Sequence, residues 1–425
     1  MTWVAIEVWV RRFLVEVVLV VCFVGPLVGG TPFPFPGRPL DGRHKQMHVY
    51  GDNGAQNVQL STLSTSAGST FSLSDGDSVW CIPVENQQSL SQFSNPKIQM
   101  KPTKRPASGS YGTSDGTKTA FQVFTKEAKC PKGQIPVRRA RNPSTDNANN
   151  GSAQDVGVTS GTKRKYIHQH AYTATPISRP PSYKGTQVVM NVWQPFVEPR
   201  DFSLAQLWVM NTGLSFTPGS DNWAMNSLEV GWQVYSDLYG DMLPRLFVYW
   251  TGDGYVKTGC YNLNQDCPAG SPGFVQVSNK VLLGGSISPP SEADSDQYEI
   301  KLRVFKDEDS GNWWLQFNQE YVGYWPSYLF HSLRDTSDLI QWGGEVFDVR
   351  EGDAETKTHM GSGAPSTSGF GKAAYQRNLQ YVDFKDNKFY DAHDLQAVST
   401  NPSCYSVSPE SSEAWGSHFF YGGSC

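Results

Sequence analysis

Short runs of β-branched and aromatic residues recur along the chain from residue 187 onward, and turn-forming residues separate them. Runs of this length and composition are typical of β-strands. The clearest of them span residues 187–196, 204–211, 228–235, 245–250, 274–288, 298–326 and 339–349. This pattern predicts an all-β domain, built as an antiparallel β-sandwich with a jelly-roll-like arrangement.

Two local features refine this prediction. Within the run 298–326, the segment from Asp309 to Asn312 is rich in turn formers and predicts the turn of a β-hairpin. Only residues 326–335 resemble a helix, and a short one. The glycine and proline counts, 40 and 27, also fit many strands joined by tight turns.

The N-terminal residues 1–30 have the pattern of a secretory signal peptide. Arg11 and Arg12 precede an apolar run from Phe13 to Val24, and small residues follow it. The run is shorter than the roughly 20 residues that span a bilayer. We therefore expect a secreted, extracellular protein with no stable membrane anchor after removal of the signal.

A polar, glycine-rich stretch at residues 138–165 separates two parts of the chain and predicts a flexible linker. It contains a glycosylation sequon at Asn150 and basic clusters at 138–141 and 163–165. Exposed linkers are where proteases cut most easily, so these clusters are candidate processing sites. The domain that follows spans residues 166–425.

The two parts carry opposite charge. Residues 97–141 contain 11 lysines and arginines against two acidic residues, a net charge of +9. Residues 166–425 contain 16 lysines and arginines against 29 acidic residues, a net charge of −13. The basic segment could dock onto the acidic domain, or both could be solvated surfaces without mutual contact. The basic segment lacks interleaved aromatic residues, so we expect no nucleic-acid partner.

Cysteine usage agrees with secretion. Removing the signal peptide leaves six of the seven cysteines, an even number that suggests three disulfides. Six cysteines allow 15 connectivities. Their clustering favours local pairs: Cys81 with Cys130, Cys260 with Cys267, and Cys404 with Cys425.

Several kinds of site can be set aside. The sequence has no HExxH, Walker A or G-x-S-x-G motif. The eight histidines show no metal-ligand spacing beyond that of His168 and His170, so we expect no metal and no cofactor. Asp309-Ser310-Gly311 matches the short aspartic-protease pattern once only, within a charged turn, whereas a shared-proton dyad needs two copies.

Two strand-like runs each carry a glutamate among apolar, aromatic and glycine residues. Alternate residues of a strand share a face. Each run therefore presents a carboxylate, a glycine and a glutamine together: Glu229, Gly231 and Gln233 in the first, and Glu345, Gly343 and Gln341 in the second. The glycines would leave room for a ligand, so all four neighbours are candidate substrate-binding residues.

Two carboxyl groups in one groove suggest acid–base chemistry. If the strands of Glu229 and Glu345 are neighbours, the carboxyls cannot easily both ionise, and one becomes an acid while the other stays a base. Trp232 and Trp342 would then point the opposite way, into the core. A single strand glutamate means little, because this chemistry needs both carboxyl groups.

Long stretches resemble one known family. The segments "LEVGWQVYSDLYGDMLPRLFVYWTGDGYVKTGCYNLNQDC", "GNWWLQFNQEYVGYWPSYLF", "IQWGGEVFDV" and "WGSHFFYGGSC" closely resemble plant neprosins, from about residue 167 to the C-terminus. Upstream, residues 75–102 resemble the family's activation peptide more weakly. The resemblance implies a small β-rich activation propeptide at 31–137 that acts as the protein's own inhibitor.

For activity, the resemblance implies a secreted glutamic endopeptidase that cleaves proline-containing peptides after proline under acidic conditions. The family's catalytic glutamates fall on Glu229 in "EVGWQV" and on Glu345 in "QWGGEV". Two other interpretations of the same residues stay open. A sandwich with two carboxylates on one face can hydrolyse glycosides, and an aromatic-rich sandwich can be a non-catalytic carbohydrate- or wall-binding module.

Overall fold

The structure, a computed structural model, describes residues 69–107, 116–139, 164–215, 224–263, 267–268, 270–352 and 354–425. All of them fall within one structural unit, Lys45–Cys425. The predicted signal peptide, Asn150 and most of the predicted linker lie outside the described residues. No helix in the described ranges is long and apolar enough to cross a membrane.

Strands dominate the described residues, and helices are few and short. In chain order the strands are β1 (Thr70–Ser72), β2 (Ser78–Pro83), β3 (Thr117–Thr119), β4 (Phe121–Gln122), β5 (Gln134–Arg138), β6 (Arg164–Ala174), β7 (Tyr183–Asn191), β8 (Phe202–Asn211), β9 (Asn226–Val234), β10 (Arg245–Thr251), β11 (Val275–Gln276), β12 (Ile287–Ser288), β13 (Gln297–Lys306), β14 (Trp313–Phe317), β15 (Glu320–Trp325), β16 (Leu339–Glu351), β17 (Ala374–Asp383), β18 (Phe389–Asp391), β19 (Gln396–Ser399), β20 (Tyr405–Ser412) and β21 (Gly416–Gly423). The helices are α1 (Val123–Glu127) and α2 (Ser236–Tyr239), with 3₁₀ turns at Val84–Asn86, Gln88–Leu90, Ser327–Leu329 and Ser366–Ser368.

Two large sheets form the main body. The six-stranded sheet has the order β10-β9-β8-β16-β6-β19. The ten-stranded sheet has the order β11-β15-β14-β13-β7-β17-β21-β20, with β18 beside β17 and β3 beside β13. The pairings within both sheets are antiparallel apart from β3 with β13. The predicted all-β, antiparallel fold is thereby confirmed.

A single hydrophobic core holds the two sheets together. Leu302 and Val304 of the ten-stranded sheet and Trp232 and Trp342 of the six-stranded sheet belong to the same buried cluster. Burying a large apolar side chain contributes roughly 1.5–3 kcal/mol. The indole N–H of Trp232 also donates to the carbonyl of Asn191 at 2.8 Å, which ties one sheet to the other. Both tryptophans therefore face the core, as the sequence predicted.

The outer face of the ten-stranded sheet is covered by the N-terminal region. Leu90 and Ile98 pack there against Phe305, Trp314 and Tyr324. Because side chains alternate along β13, Phe305 points away from the inter-sheet core that contains Val304 and Leu302. The described N-terminal residues thus contribute to the fold as a cover on this sheet.

Charged groups fasten the same cover. Asp307, which follows β13, accepts hydrogen bonds from the Gln99 amide at 2.5 Å and from the backbone N–H groups of Thr103 and Lys104 at 3.2 and 2.8 Å. Lys104 also pairs with Glu308 at 2.7 Å. Of the two possibilities, docking onto the acidic domain is the one observed for the described residues of the basic segment.

A buried ion network joins the N-terminal sheet of β1, β2 and β5 to the six-stranded sheet. The Asp77 carboxylate contacts the Arg138 guanidinium at 2.9 Å and the Arg245 guanidinium at 2.7 Å. Arg245 also contacts Asp241 at 2.5 Å, and Arg138 donates to the Tyr239 carbonyl at 2.6 Å. Arg138 is buried at the end of β5, so the expectation that it lies in an exposed, cleavable linker is wrong.

The three predicted disulfides are present: Cys81–Cys130, Cys260–Cys267 and Cys404–Cys425. Their sequence separations are 49, 7 and 21 residues. The first lies wholly within the N-terminal region and the other two within the sandwich. In the chain-entropy account, the longest of these loops contributes most to stability.

The hairpin prediction is confirmed and the helix prediction is wrong. β13 and β14 pair on either side of the Asp309 to Asn312 turn. The predicted helix reduces to the 3₁₀ turn at Ser327–Leu329. The Asn226 side-chain oxygen accepts the backbone N–H groups of His331 and Leu333, at 2.8 and 3.3 Å, which holds this segment in an irregular path.

Candidate active site

Glu229 and Glu345 lie on the same sheet, with one strand between them. Glu229 on β9 pairs with Trp208 of β8, and Glu345 on β16 pairs with Leu204 of β8. The expectation that their strands are neighbours is therefore wrong, because β8 separates them. Gln206 stands at the centre of the arrangement, between the two glutamates.

The strand register places all six sequence-predicted site residues on one face. Residues paired across an antiparallel ladder point to the same side. Three rows cross the face through β8: Glu229–Trp208–Gln341, Gly231–Gln206–Gly343 and Gln233–Leu204–Glu345. Because Trp232 and Trp342 face the core, these rows lie on the outer face of the six-stranded sheet. The described N-terminal cover lies on the outer face of the other sheet.

Glu229 is buried and keeps its proton unusually well. Its Oε1 accepts a hydrogen bond from the Tyr255 hydroxyl at 2.6 Å and one from the Ser227 hydroxyl at 3.1 Å. Burial, and to a smaller extent the negative charge of Glu345, raise the pKa of Glu229 to about 7, against the lowering effect of these two donors and of His168. Glu229 is thus protonated in acid and up to near-neutral pH.

The surroundings of Glu345 act on its pKa in the opposite direction. Its carboxylate contacts His168 Nδ1 at 2.5 Å and His170 Nε2 at 3.5 Å, and accepts a hydrogen bond from the Gln206 amide at 3.3 Å. Burial acts to raise the pKa of Glu345, but the electrostatic attraction of His170 and the hydrogen bonds of His168 and His170 outweigh it. The pKa therefore lies well below its usual range.

The glutamines differ in what they can still bind. Gln233 is engaged in the floor of the site, where its two amide atoms contact the hydroxyls of Tyr261 and Tyr239, each at 3.4 Å. The side-chain oxygens of Gln206 and Gln341 are buried without a hydrogen-bond partner within the described part of the chain. A buried acceptor without a partner is costly to leave unsatisfied.

Glycine is needed at positions 231 and 343 for a structural reason that does not involve a ligand. A Cβ added at Gly231 would lie 1.8 Å from the Ala205 carbonyl oxygen. A Cβ added at Gly343 would lie 2.5 Å from the Ala171 carbonyl oxygen and 2.4 Å from the Tyr172 Cβ. The close approach of adjacent strands therefore requires glycine at both positions. We had expected these glycines to make room for a ligand, and the structure gives this different reason for them.

One group among the described residues brings three potential metal ligands together, and neither Glu229 nor Glu345 belongs to it. It consists of Glu355, Cys404 and Cys425. Both cysteines form a disulfide with each other, so neither is available as a thiolate ligand.

Sequence reasoning missed four residues that surround the glutamates. His168 and His170 were considered only as metal ligands and set aside, although their spacing on a strand puts them on one face. Gln206 is a polar residue within a strand whose every residue is buried, the same signal that singled out Glu229. Tyr255 comes from a loop after β10, and no sequence pattern predicts that its hydroxyl reaches Glu229.

A protonated and an ionised carboxyl group on one face can together carry out acid–base hydrolysis. Residues 199–424 match the family model described as Neprosin, and residues 70–177 match the model described as Neprosin activation peptide. The first match covers more than half of the chain, which therefore belongs to the neprosin family. The two matches together define a peptidase that carries its own activation peptide.

Solved structures resemble the chain only weakly. Scytalido-glutamic peptidase with a peptide-based transition state analogue has a TM-score of 0.31 and 10% identity, and covers 62% of this chain and 100% of its own. SCP-B of the Eqolisin family, in complex with the tripeptide Ala-Ile-His, has a TM-score of 0.30 and 10% identity over the same shares. CG-16, a homodimeric agglutinin from chicken liver, has a TM-score of 0.19 and 10% identity, covering 44% of this chain and 96% of its own. Similarity at this level carries no conclusion about chemistry.

Proposed function

We propose that the protein is the zymogen of a glutamic endopeptidase that cleaves after proline in acid, with Glu345 as the base and Glu229 as the acid. The observation that carries this proposal is the opposite displacement of the two pKa values on one face, raised for Glu229 and lowered for Glu345. Environments that push two titratable groups apart are how a site holds an acid and a base at once.

The proposed reaction uses a water molecule held between the two groups. Ionised Glu345 takes a proton from the water, whose oxygen attacks the peptide carbonyl. Protonated Glu229 donates to the carbonyl oxygen as charge develops there, and then gives its proton to the leaving nitrogen as the C–N bond breaks. Glu345 then releases its proton to solvent and Glu229 takes one up from solvent, which restores the ionised base and the protonated acid.

Gln206 and Gln341 are the proposed substrate contacts. Both residues lie on the face that carries the two glutamates, Gln341 in the row of Glu229 and Gln206 in the row between the glutamates, which supports contact with an extended peptide. Gln233, Gly231 and Gly343 have the structural roles described above, so we assign them to the floor that holds the site rather than to direct contact. The preference for proline rests on the family resemblance of the sequence.

We propose that the activation peptide keeps the enzyme latent and that the chain is secreted to the apoplast or cell wall. Three disulfides support an oxidising compartment. Glycosylation at Asn150 is proposed from its sequon alone.

The pH dependence of catalysis follows from these assignments. Since Glu229 must be protonated and its pKa is about 7, kcat/KM is expected to fall as pH rises through about 7. Since the pKa of Glu345 is lowered, the acid limb should lie below the ordinary glutamate range of about 4.3. A pH series on the processed enzyme measures both limbs. A rate that rises through pH 7 would contradict Glu229 as the acid and Glu345 as the base.

Substrate class is tested by assaying one processed preparation against proline-containing peptides and against polysaccharides at pH values of about 3–7. We expect cleavage on the carboxyl side of proline, identified by mass spectrometry of the products, and no release of sugar. A matched peptide with alanine in place of proline should be cut poorly. Release of reducing sugar would favour a glycoside hydrolase, and carbohydrate binding without hydrolysis of either substrate would favour a binding module.

A further inference from the structure

Tyr255 occupies an unusual backbone conformation beside Glu229. Its φ is +63°, in the left-handed region that residues other than glycine rarely adopt. The Asp253 carboxylate pins the loop by accepting the backbone N–H groups of Val256, Lys257 and Thr258, at 3.1, 2.9 and 3.2 Å. Conformations of this kind persist where surrounding contacts enforce them, and they concentrate at functional sites.

Ring packing also holds the loop that carries Tyr255 in place. The ring of Tyr255 stacks on Tyr249 with 6.2 Å between centroids and 24° between planes. Tyr249 pairs with Glu229 across β9 and β10, so the two rings and the carboxyl group form one packed unit. A Cβ added at Gly259 would lie 2.1 Å from the Tyr249 hydroxyl, so only glycine allows the loop to return this closely.

Both hydroxyl donors to Glu229 reach the same oxygen. Tyr255 and Ser227 donate to Oε1, and among the described residues none donates to Oε2. In a protonated carboxyl group, one oxygen carries the hydrogen and the other is the better acceptor. Two donors on Oε1 therefore make it the acceptor and leave the proton on Oε2.

We propose that Tyr255, together with Ser227, is a positioning residue that keeps the transferable proton of Glu229 on Oε2 and holds that oxygen toward the substrate. This inference rests on the proposed role of Glu229 as the acid. Tyr255 acts through Glu229 and does not itself exchange a proton with substrate. Burial and the nearby carboxyl groups raise its pKa well above its usual value, so the phenol stays a donor throughout the working range.

Several titratable groups act on Glu229, and the test must separate them from Tyr255. Glu345 on β16 raises the pKa of Glu229, and His168 on β6 and the Tyr255 hydroxyl lower it. Tyr249 faces it from β10. Because Tyr255 stabilises the ionised form of Glu229 as a donor, removing its hydroxyl should raise the pKa of Glu229 and move the alkaline limb of activity to higher pH.

The experiment compares Tyr255→Phe with wild type in the processed enzyme, measuring kcat and KM across the pH range. We expect kcat to fall about tenfold at the optimum, with KM nearly unchanged, because one hydrogen bond to the acid is lost. The alkaline limb should shift upward. Tyr390→Phe is the matched control, since the Tyr390 hydroxyl donates to Asp386 at the same 2.6 Å on an exposed hairpin. It should change neither kcat nor the limb.

The outcomes distinguish this inference from the proposed function. Activity retained in Glu229→Gln would overturn the proposed function itself. An inactive Glu229→Gln together with an unmoved or lowered alkaline limb in Tyr255→Phe would overturn only the role of Tyr255. Should Tyr255→Phe fail to fold, Ser227→Ala provides the test, because it removes the second donor to Oε1. This variant is expected to shift the alkaline limb to higher pH, and an unmoved limb would overturn the inference.

Discussion

Glu345→Gln is expected to abolish peptide hydrolysis, lowering kcat/KM by about a thousandfold or more. The amide has nearly the size of the carboxylate but cannot take a proton from water. The substitution also removes the negative partner of His168 and His170, which contact Glu345 at 2.5 and 3.5 Å. Glu229→Gln is expected to be equally damaging, because an amide cannot supply the proton that the leaving nitrogen needs.

The measurement is kcat/KM of purified, processed protein on a proline-containing peptide, with thermal unfolding recorded alongside to verify folding. Glu320→Gln is a matched control, because Glu320 makes a partly exposed ion pair with Lys280 on the other sheet. It should leave activity within about twofold, as expected for an exposed ion pair. Substantial turnover by either active-site variant would refute the assignment of the two glutamates.

Asp77→Ala is expected to cause the largest loss of stability, about 3–5 kcal/mol in the free energy of unfolding of the full-length zymogen. The Asp77 carboxylate is fully buried between the guanidinium groups of Arg138 and Arg245, whose side chains are 2% and 0% exposed. Removing it leaves two positive charges close together and out of water. Asp241 continues to pair with Arg245, so part of the network survives.

The control for this loss is Asp296→Ala, which removes an exposed ion pair with Lys118 also formed between the N-terminal region and the sandwich. Exposed pairs contribute about 0–1 kcal/mol, so this variant should unfold at nearly the wild-type denaturant concentration. Equal stability of the two variants in urea titrations would show that the buried network does not hold the N-terminal region in place.

The strands of the sandwich were predictable because the length of the apolar runs and their β-branched and aromatic composition both indicate strands. The run 204–211 corresponds to β8 (Phe202–Asn211), and 228–235 to β9 (Asn226–Val234). The run 274–288 gave a wrong prediction, because it is apolar but contains only the two-residue strands β11 and β12. Its apolar residues Val281, Leu282 and Leu283 are buried from an irregular segment, and burial alone does not reveal backbone conformation.

The site was predictable in part. Glu229 and Glu345 were identifiable as charges embedded in apolar runs, but their separation by β8 follows from strand order, which no local pattern encodes. The unequal pKa values come from His168, His170 and Tyr255, which reach the site through tertiary packing. That the two carboxyl groups share one face was predicted, whereas the neighbours that displace their pKa values in opposite directions were not.

The position of β8 ties catalytic competence to correct strand alignment. Gln206 and both glutamates are aligned through the ladders that β8 forms on its two edges. Sliding this strand by one residue would turn Gln206 into the interior and Leu207 out to the surface, and would disconnect the two halves of the site. Enzymatic activity should therefore report whether β8 is paired in the correct register. Molecules with β8 in the wrong register should be both inactive and prone to aggregate.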